Sequence, residues 1–298
     1  MGSLNKLLAL VFLLLVGYAS YYWVQQHNAG KEDAAVFKPS PDPVQTLSIK
    51  VNGKPAIELS KLNGRWRMTA PFDDFADEGA VENLLTYAKG MKKERVISPS
   101  VHNLEPFGLS LAQDVLLIGA GSGSQELLLG HNTVDERSIF AAKGGSSEVF
   151  ALPNEVREKL FVKPFQLRER RFLLLPAKEI EKMTIASGDR EIVLSKSDST
   201  WRQTKGAPWK EAADNAGKII QDLSRSVIFD FVQGSESKQA DQGLSPPRVS
   251  ITVAGPGGEQ KLLLGAEGPG GFIFAKVVGR PGVVLVDKPD IWTMCANL

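Results

Sequence analysis

Apolar and polar residues alternate along two groups of short stretches in this chain, and turn residues separate the stretches within each group. Alternation with a period of two, interrupted by pairs such as Asn63-Gly64, is typical of antiparallel strands joined by tight turns. Each group therefore predicts a three-stranded meander. The stretches are residues 48–51, 56–59 and 65–68 in the first group and residues 183–185, 192–194 and 201–203 in the second.

A different spacing follows each meander, with apolar residues three and four positions apart. This spacing predicts one amphipathic helix per group, because it places the apolar side chains on a single face. Asp77 and Asp214 precede the two helices, where an aspartate carboxylate accepts hydrogen bonds from the free amides of the first turn. The apolar positions are Val81, Leu84, Leu85, Ala88 and Met91, and then Ala216, Ile219, Ile220 and Leu223.

The two groups belong to an internal repeat with a period of about 135 residues. Residues 107–110 match residues 242–245, and two pairs of further strands follow in each copy. We therefore predict an α+β fold of two tandem repeats, each an antiparallel sheet with one main packing helix. The repeat markers are Trp66 with Trp201, Asp77 with Asp214, and Gly130 with Gly265; the predicted strands are residues 115–118, 126–129, 139–142 and 148–152, and 249–253, 261–264, 272–277 and 283–286.

The beginning of the chain is strongly apolar, since residues 7–24 contain no charge. A run of this length is about the minimum that spans a bilayer as a helix. Tyr21, Tyr22 and Trp23 lie at its far end, where aromatic rings favour the membrane interface, and Lys6 favours a cytoplasmic amino terminus. We therefore predict a transmembrane anchor with the remaining chain in the periplasm. The alternative is a cleavable signal peptide, with small residues at Gly17-Tyr18-Ala19.

These features define the expected domain organisation. Residues 27–43 contain charges, Gly30 and three prolines, a composition typical of an extended spacer. The expected segments are a cytoplasmic tip (1–6), the anchor (7–24), a Pro-rich linker (25–45), the first repeat (46–164), a connector (165–178) and the second repeat (179–298).

Charge and cysteine content narrow the classes of function. Thirty-five Lys and Arg residues against 34 Asp and Glu residues give a net charge of +1, so there is no basic surplus for a nucleic acid partner. The single cysteine, Cys295, allows neither an internal disulfide nor a zinc site built from thiolates.

Residues that carry catalysis or hold metals do not form a recognisable constellation. His27, His102 and His131 lack metal-ligand spacing, and Gly119, Gly121 and Gly123 precede a predicted strand, which favours a hairpin over a phosphate cradle. Five acidic residues lie around the start of the first helix: Asp73, Asp74, Asp77, Glu78 and Glu82. Carboxylates in this arrangement could bind calcium, but helix capping and the helix dipole already explain acidic residues at this position. We expect no enzyme activity, no cofactor and no metal.

The connector carries the one basic cluster that suggests binding. Arg168, Arg170 and Arg171 are candidates for docking an anionic headgroup or an acidic partner surface. The competing interpretation is an ordinary charged connector, since Glu169 interrupts the cluster.

Several of these motifs, taken in order, resemble a bacterial family of unknown function with tandem periplasmic repeats, found beside ABC transporter components of the gliding-motility type. The motifs are Gly64-Arg65-Trp66, Pro71, Ala76-Asp77 with its helix, Phe107-Gly108-Leu109, and Glu126-Leu127-Leu128-Leu129-Gly130. The resemblance implies an anchored periplasmic accessory protein whose partner is an inner-membrane ABC transporter or a permease-type auxiliary subunit. It implies no catalytic residue.

Two functions follow as hypotheses. The first is a non-catalytic accessory or interaction protein of an ABC-type transport or gliding-motility-like system at the bacterial inner membrane. The second is a periplasmic module that binds a glycan or lipid and delivers it to a transporter, for which Trp201, Trp209 and Trp292 are candidate cleft aromatics.

Overall fold

The computed structural model describes residues 15–18, 20, 34–112, 114–121, 123–232 and 239–296. The chain divides into two compact units, Met1–Arg168 (unit 1) and Glu169–Leu298 (unit 2). The division falls inside the predicted connector.

Unit 1 is built around one antiparallel sheet with short helices beside it. Its strands are β1 (Val44–Val51), β2 (Lys54–Leu62), β3 (Arg65–Ala70), β4 (Asp74–Phe75), β5 (Arg95–Ser98), β6 (Asp114–Ala120), β7 (Gly123–Asn132), β8 (Ser138–Lys143) and β9 (Val149–Pro153), and its helices are α1 (Glu78–Gly90), α2 (Val156–Leu160) and α3 (Pro164–Leu167).

Unit 2 repeats the arrangement. Its strands are β10 (Lys182–Ser187), β11 (Arg190–Ser197), β12 (Thr200–Lys205), β13 (Ile228–Val232), β14 (Val249–Gly255), β15 (Gly258–Glu267), β16 (Ile273–Val277) and β17 (Val283–Val286), and its helices are α4 (Lys210–Asp214), α5 (Ala216–Arg225) and α6 (Asp290–Ala296).

The two sheets have the same strand order, which confirms the internal repeat. Unit 1 has the order β4-β3-β2-β1-β6-β7-β8-β9-β5, and unit 2 has the order β12-β11-β10-β14-β15-β16-β17-β13. The meander β1 to β3 corresponds to β10 to β12, the strands β6 to β9 correspond to β14 to β17, and β5 corresponds to β13. Only β4 has no counterpart among the described strands.

The core of each unit lies between one face of the sheet and its longest helix. In α1 the buried residues are Val81, Leu84, Leu85 and Ala88, and in α5 they are Ala216, Ile219, Ile220 and Leu223. Both sets follow the spacing that the sequence predicts. They pack on inward-facing strand residues, among them Leu47, Ile49, Leu116 and Leu127 in unit 1 and Met183, Ile185, Ile251 and Leu262 in unit 2.

The other face of the sheet in unit 1 is covered by the chain between β5 and β6. Leu109, Ala142 and Val149 form a small buried cluster there, and Ile97, Val101, Leu104 and Phe107 pack against it. This packing fixes the turn around Gly108 against the sheet.

The predicted α+β fold class is wrong. The structure is mostly β, with 44% of it in strands, arranged in two large antiparallel sheets with few helices. The helix pattern correctly located α1 and α5, but the strands outweigh the helices, because the meander and the later hairpins of each unit form one large sheet. Strands β5 and β13, which extend each sheet beyond β9 and β17, were not predicted.

The predicted amino-terminal transmembrane helix is not shown, because most of it lies outside the described residues. No helix in the described part of the chain is both long and apolar enough to cross a membrane. Of the apolar run at residues 7–24, only residues 15–18 and 20 are among those described.

The second half of the predicted spacer packs on unit 1. Val36 and Phe37 are buried in its core, and the backbone amide of Val36 donates to the carbonyl oxygen of Met91 at 3.1 Å. The side chain of Gln125 makes hydrogen bonds of 2.7 and 2.8 Å with the backbone amide and carbonyl of Lys38. Buried apolar side chains and hydrogen bonds together attach this polar, proline-containing segment to unit 1.

The glycine run after β6 forms a hairpin, as predicted. Ala120 pairs with Gly123 across the turn, and Gly121 has a φ of +57°. This conformation is open to glycine without strain.

Candidate functional site

A polar cleft of about 1170 Å³ lies in unit 1, beside the turn at Gly108 and the end of β7. Its lining combines amide, hydroxyl and charged side chains with one protruding aliphatic residue, Leu111, which is 89% exposed. The polar lining residues are Asn52, Glu105, Ser110, Asp114, His131, Asn132, Asn154, Glu155, Arg157 and Glu158.

An ion pair between Asp114 and Arg157 holds this cleft together. Asp114 is the first residue of β6, and its carboxylate is 4% exposed; Nη1 of Arg157 lies 2.5 Å from its Oδ2. The other carboxylate oxygen accepts a hydrogen bond from the amide of Asn52 at 3.1 Å. Nη2 of Arg157 also donates to the carbonyl of Gly130 at 3.1 Å. One guanidinium therefore links α2, β6 and the end of β7.

Two glycines allow the turn to approach the sheet closely. A Cβ at Gly108 would lie 2.5 Å from Cδ2 of His131, and a Cβ at Gly130 would lie 2.0 Å from the carbonyl oxygen of Phe107. Gly108 also has a φ of +72°, which side chains disfavour. At Gly130 the wall of the cleft is therefore backbone packed on backbone, and at Gly108 it is backbone packed on the His131 ring.

The charges around the cleft are predominantly negative. Asp114 and Arg157 neutralise each other, whereas Glu105, Glu155 and Glu158 are exposed at the surface. The hydroxyl of Tyr87 donates to Glu155 at 3.4 Å. A binding segment with a lysine or arginine would find complementary charge here.

The repeat marker Gly265 has the same packing role in unit 2 as Gly130 has in unit 1. A Cβ at Gly265 would lie 2.2 Å from the carbonyl oxygen of Gln242, which corresponds to Phe107. Leu109 and Leu244 follow the two turns and are both buried. The repeated turn is therefore a packing motif.

The two repeat-marker tryptophans lie at equivalent strand positions but differ in burial. Trp66 is 1% exposed, whereas Trp201 is half-buried at the margin of the core of unit 2. The amide of Trp66 donates to Glu78 at 2.6 Å, and its indole Nε1 donates to Glu82 at 3.3 Å.

The two repeat-marker aspartates have different local roles. Asp77 is the N-cap of α1, and its carboxylate accepts a hydrogen bond from the amide of Ala80 at 2.9 Å. Asp214 is instead the last residue of α4, and α5 begins after Asn215 without a side-chain cap.

The acidic residues around the start of α1 have protein partners. Glu78 and Glu82 bind Trp66, and Asp77 caps the helix. Asp73 binds Arg67 at 2.6 Å, and Asp74 binds Arg168 at 2.6 Å. Within the described residues no group of three or more His, Cys, Asp or Glu side chains could hold a metal ion. His102 and His131 are exposed, and His27 lies outside the described residues.

Arg168, a candidate docking residue, is buried in unit 1. Its side chain is 4% exposed, its Nε donates to Asp74, and its guanidinium lies over the ring of Phe72 at 4.7 Å from the centroid. The guanidinium is therefore held by Asp74 and Phe72.

Arg170 and Arg171, the other two candidates, belong to unit 2. Arg170 donates to the carbonyl of Ile228 at 3.1 Å, and Arg171 binds the buried carboxylate of Glu169 through Nε and Nη2. Only the side chain of Arg171 is largely exposed, at 56%.

The carboxyl of Glu169 is surrounded by basic groups. Burial raises its pKa, but hydrogen bonds from the side chain and backbone of Arg171, with the charges of Arg171 and Arg280, outweigh this effect. The net result is a pKa below the usual value. Glu169 is therefore the acceptor at the centre of this cluster.

No local sequence pattern indicates the cleft. Arg157 and Asp114 are 43 positions apart, and neither belongs to a repeated motif. One difference between the repeats was visible in the sequence: Asp114 starts its strand where the second copy has Val249. A charged residue at an otherwise apolar strand position can indicate a buried ion pair.

The fold and the cleft together define a tandem β-sheet protein with a polar surface cleft in its first unit. A family described as Domain of unknown function (DUF4340) matches residues 66–247, from the second residue of β3 to the residues just before β14. The chain belongs to this family. It matches none of the curated proteins and none of the solved structures.

Proposed function

We propose that the protein is a non-catalytic interaction protein, an accessory subunit that binds a partner through the cleft of unit 1. The observation that carries the proposal is the cleft itself, whose base is fixed by Asp114 and Arg157 and whose rim is polar and exposed. Sites for small molecules are usually apolar and enclosed and measure roughly 300–1,000 Å³. A larger, polar and open cleft suits a segment of another macromolecule better.

The partner is an inner-membrane ABC transporter or a permease-type auxiliary subunit of a gliding-motility-like system. Support comes from the sequence motifs, whose order along the chain resembles that of the tandem-repeat family found beside such components. Glu105, Glu155 and Glu158 favour a basic segment of this partner, because opposite charge steers encounter and fixes orientation.

The two units act on the periplasmic side of the bacterial inner membrane. The uncharged run at residues 7–24, with Lys6 before it, supports export of the chain that follows. A reporter fused after Leu298 should be active only outside the cytoplasm. Activity confined to the cytoplasm would refute this placement.

A second candidate function is capture of a glycan for delivery to a transporter. The amides of Asn52, Asn132 and Asn154 and the hydroxyl of Ser110 favour it, because amides and hydroxyls can bind sugar hydroxyls in either direction. Glycan arrays applied to the purified full chain would detect such binding. If a glycan binds and Asn132→Ala removes that binding, this function takes precedence over the accessory role.

The accessory role is tested by photocrosslinking in intact cells. A photoreactive amino acid at Leu111, on the cleft rim, should yield one dominant adduct with a membrane protein. The matched control is the same group at Leu62, an exposed aliphatic residue of β2 that does not line the cleft. Adducts formed equally from both positions, or none from Leu111, would contradict the proposal.

A further inference from the structure

The two sheets differ at the outer edge of the meander, although their strand order is otherwise the same. In unit 1 the edge of β3 is covered by the short strand β4, with Arg67 paired to Phe75 and Met68 paired to Asp74. The backbone amide of Ala76 continues this pairing by donating to the carbonyl of Trp66 at 3.1 Å. In unit 2 the equivalent strand β12 is the edge of its sheet.

The reason for the difference lies in the covering segment. Counting from the prolines Pro71 and Pro208, the sequence Asp73-Asp74-Phe75 is replaced in the second copy by Lys210-Glu211-Ala212. Aspartate and phenylalanine are poor helix formers, whereas lysine, glutamate and alanine are strong ones. The first sequence forms β4, and the second forms α4 and buries Ala212 in the core.

The covering strand is bound by side chains of β3 as well as by the backbone of β3. Nε of Arg67 lies 2.6 Å from Oδ1 of Asp73, and the Arg67 guanidinium lies 5.4 Å from the centroid of the Phe75 ring. Arg65 of the same strand also lies over this ring, at 4.7 Å from the centroid. Of the two arginines, Arg67 is the one that pairs with a carboxylate of the covering segment.

Arg202 occupies the position of Arg67 in unit 2. It follows Trp201 as Arg67 follows Trp66, and it is exposed. No carboxylate within the described part of the chain forms an ion pair with it. Edge strands leave backbone amides and carbonyls available for pairing, and proteins normally protect such edges.

We propose that the β12 edge of unit 2 binds an extended acidic segment of a partner protein, which adds a strand to this sheet as β4 does in unit 1. A carboxylate of the segment pairs with Arg202, and its backbone pairs with β12. The chain's own Asp73-Asp74-Phe75 segment shows the sequence type that this geometry accepts. The surface is separate from the cleft and does not depend on the function proposed for it.

The test uses the full chain in mild detergent and a fluorescent peptide that copies residues 70–77, Ala-Pro-Phe-Asp-Asp-Phe-Ala-Asp. Fluorescence anisotropy should show saturable binding with a Kd below about 1 mM. Hydrogen exchange should slow in residues 200–205 when the peptide is bound.

Two variants and two altered peptides make the test specific. Arg202→Glu should weaken binding at least about tenfold, because it replaces attraction by repulsion. Arg190→Gln, an exposed arginine at the far end of β11, should leave it unchanged. Peptides with asparagine in place of aspartate, or with N-methylated backbone amides, should also fail to bind. Both protein variants are surface changes and should keep the melting temperature within about 2 °C.

Each outcome decides the proposal. Strand addition is supported if Arg202→Glu weakens peptide binding, Arg190→Gln does not, and hydrogen exchange slows in β12. Absence of binding at about 1 mM, binding that Arg202→Glu leaves unchanged, or binding that survives N-methylation overturns it.

Discussion

Nε of Arg168 lies 2.6 Å from Oδ2 of Asp74, and both side chains are almost completely buried in unit 1. The pair connects the end of α3 to β4, two elements 94 positions apart in the sequence. Arg168, which the sequence predicts to be a docking residue, therefore forms an internal ion pair.

Replacing one member of this pair should destabilise unit 1 strongly. Arg168→Met should lower the free energy of unfolding by about 3–5 kcal/mol, because it leaves a buried carboxylate without its cation. Arg137→Met, at an exposed turn, should change it by less than about 0.5 kcal/mol. Urea denaturation measures both. Equal effects of the two variants would mean that the ion pair of Arg168 with Asp74 does not contribute to the free energy of unfolding.

The repeated glycines should tolerate no side chain. Gly130→Ala and Gly265→Ala should each destabilise the protein by at least about 2 kcal/mol, because the new Cβ overlaps a backbone carbonyl oxygen that cannot move aside. Gly217→Ala is the matched control, since its Cβ would meet nothing within 4 Å inside α5. It should stabilise the helix by about 0.5–1 kcal/mol. Thermal melts that rank the three variants otherwise would contradict the proposed turn packing.

The repeat glycines show what the sequence could and could not provide. A marker at a fixed offset was visible without a structure, and so were the strands and the apolar faces of α1 and α5, because each depends on local periodicity. The reason for the marker was not visible, since the carbonyl of Phe107 approaches Gly130 only after folding. The same limit applied to the pairs Asp114 with Arg157 and Asp74 with Arg168, whose partners are distant in sequence.

The contrast between β4 and α4 shows a further limit. Asp73-Asp74-Phe75 and Lys210-Glu211-Ala212 both follow a proline and precede an Ala-Asp pair, so the two segments align in the sequence. Their different propensities favour a strand in the first copy and a helix in the second, and only the structure shows that β12 is then the edge strand of its sheet.

Stability should depend on the ionised form of Glu169. Since its pKa is lowered in the folded protein, its contribution is fully present above the usual value of 4.5 and is lost as the pH falls through the lower folded value. The difference in unfolding free energy between the wild type and Glu169→Gln should therefore shrink as the pH is lowered below 4.5. Urea titrations at successive pH values test this. A difference that grows in acid would reverse the assigned direction.

Cys295 should be unreactive in the folded protein. Burial raises the pKa of its thiol to about 11, despite a hydrogen bond with Ser187 and the charges of Arg248 and Arg190, which lower it. Because the thiolate is the reactive form, alkylation by iodoacetamide at about pH 8 should be at least about a hundredfold slower than for an exposed cysteine. Urea should restore the ordinary rate. Rapid labelling without urea would show that Cys295 is accessible.

The central claim is that unit 1 binds its partner through the cleft, and blocking the cleft tests this most directly. Ser110→Trp places a large side chain in the cleft, and Ser100→Trp places the same side chain at an exposed position outside its lining. The measurement is the yield of the Leu111 photo-adduct in cells that produce each variant at equal levels. We expect Ser110→Trp to reduce the yield at least about tenfold, a loss of about 1.4 kcal/mol in binding, and Ser100→Trp to leave it unchanged. An undiminished yield from the Ser110→Trp protein would contradict the account.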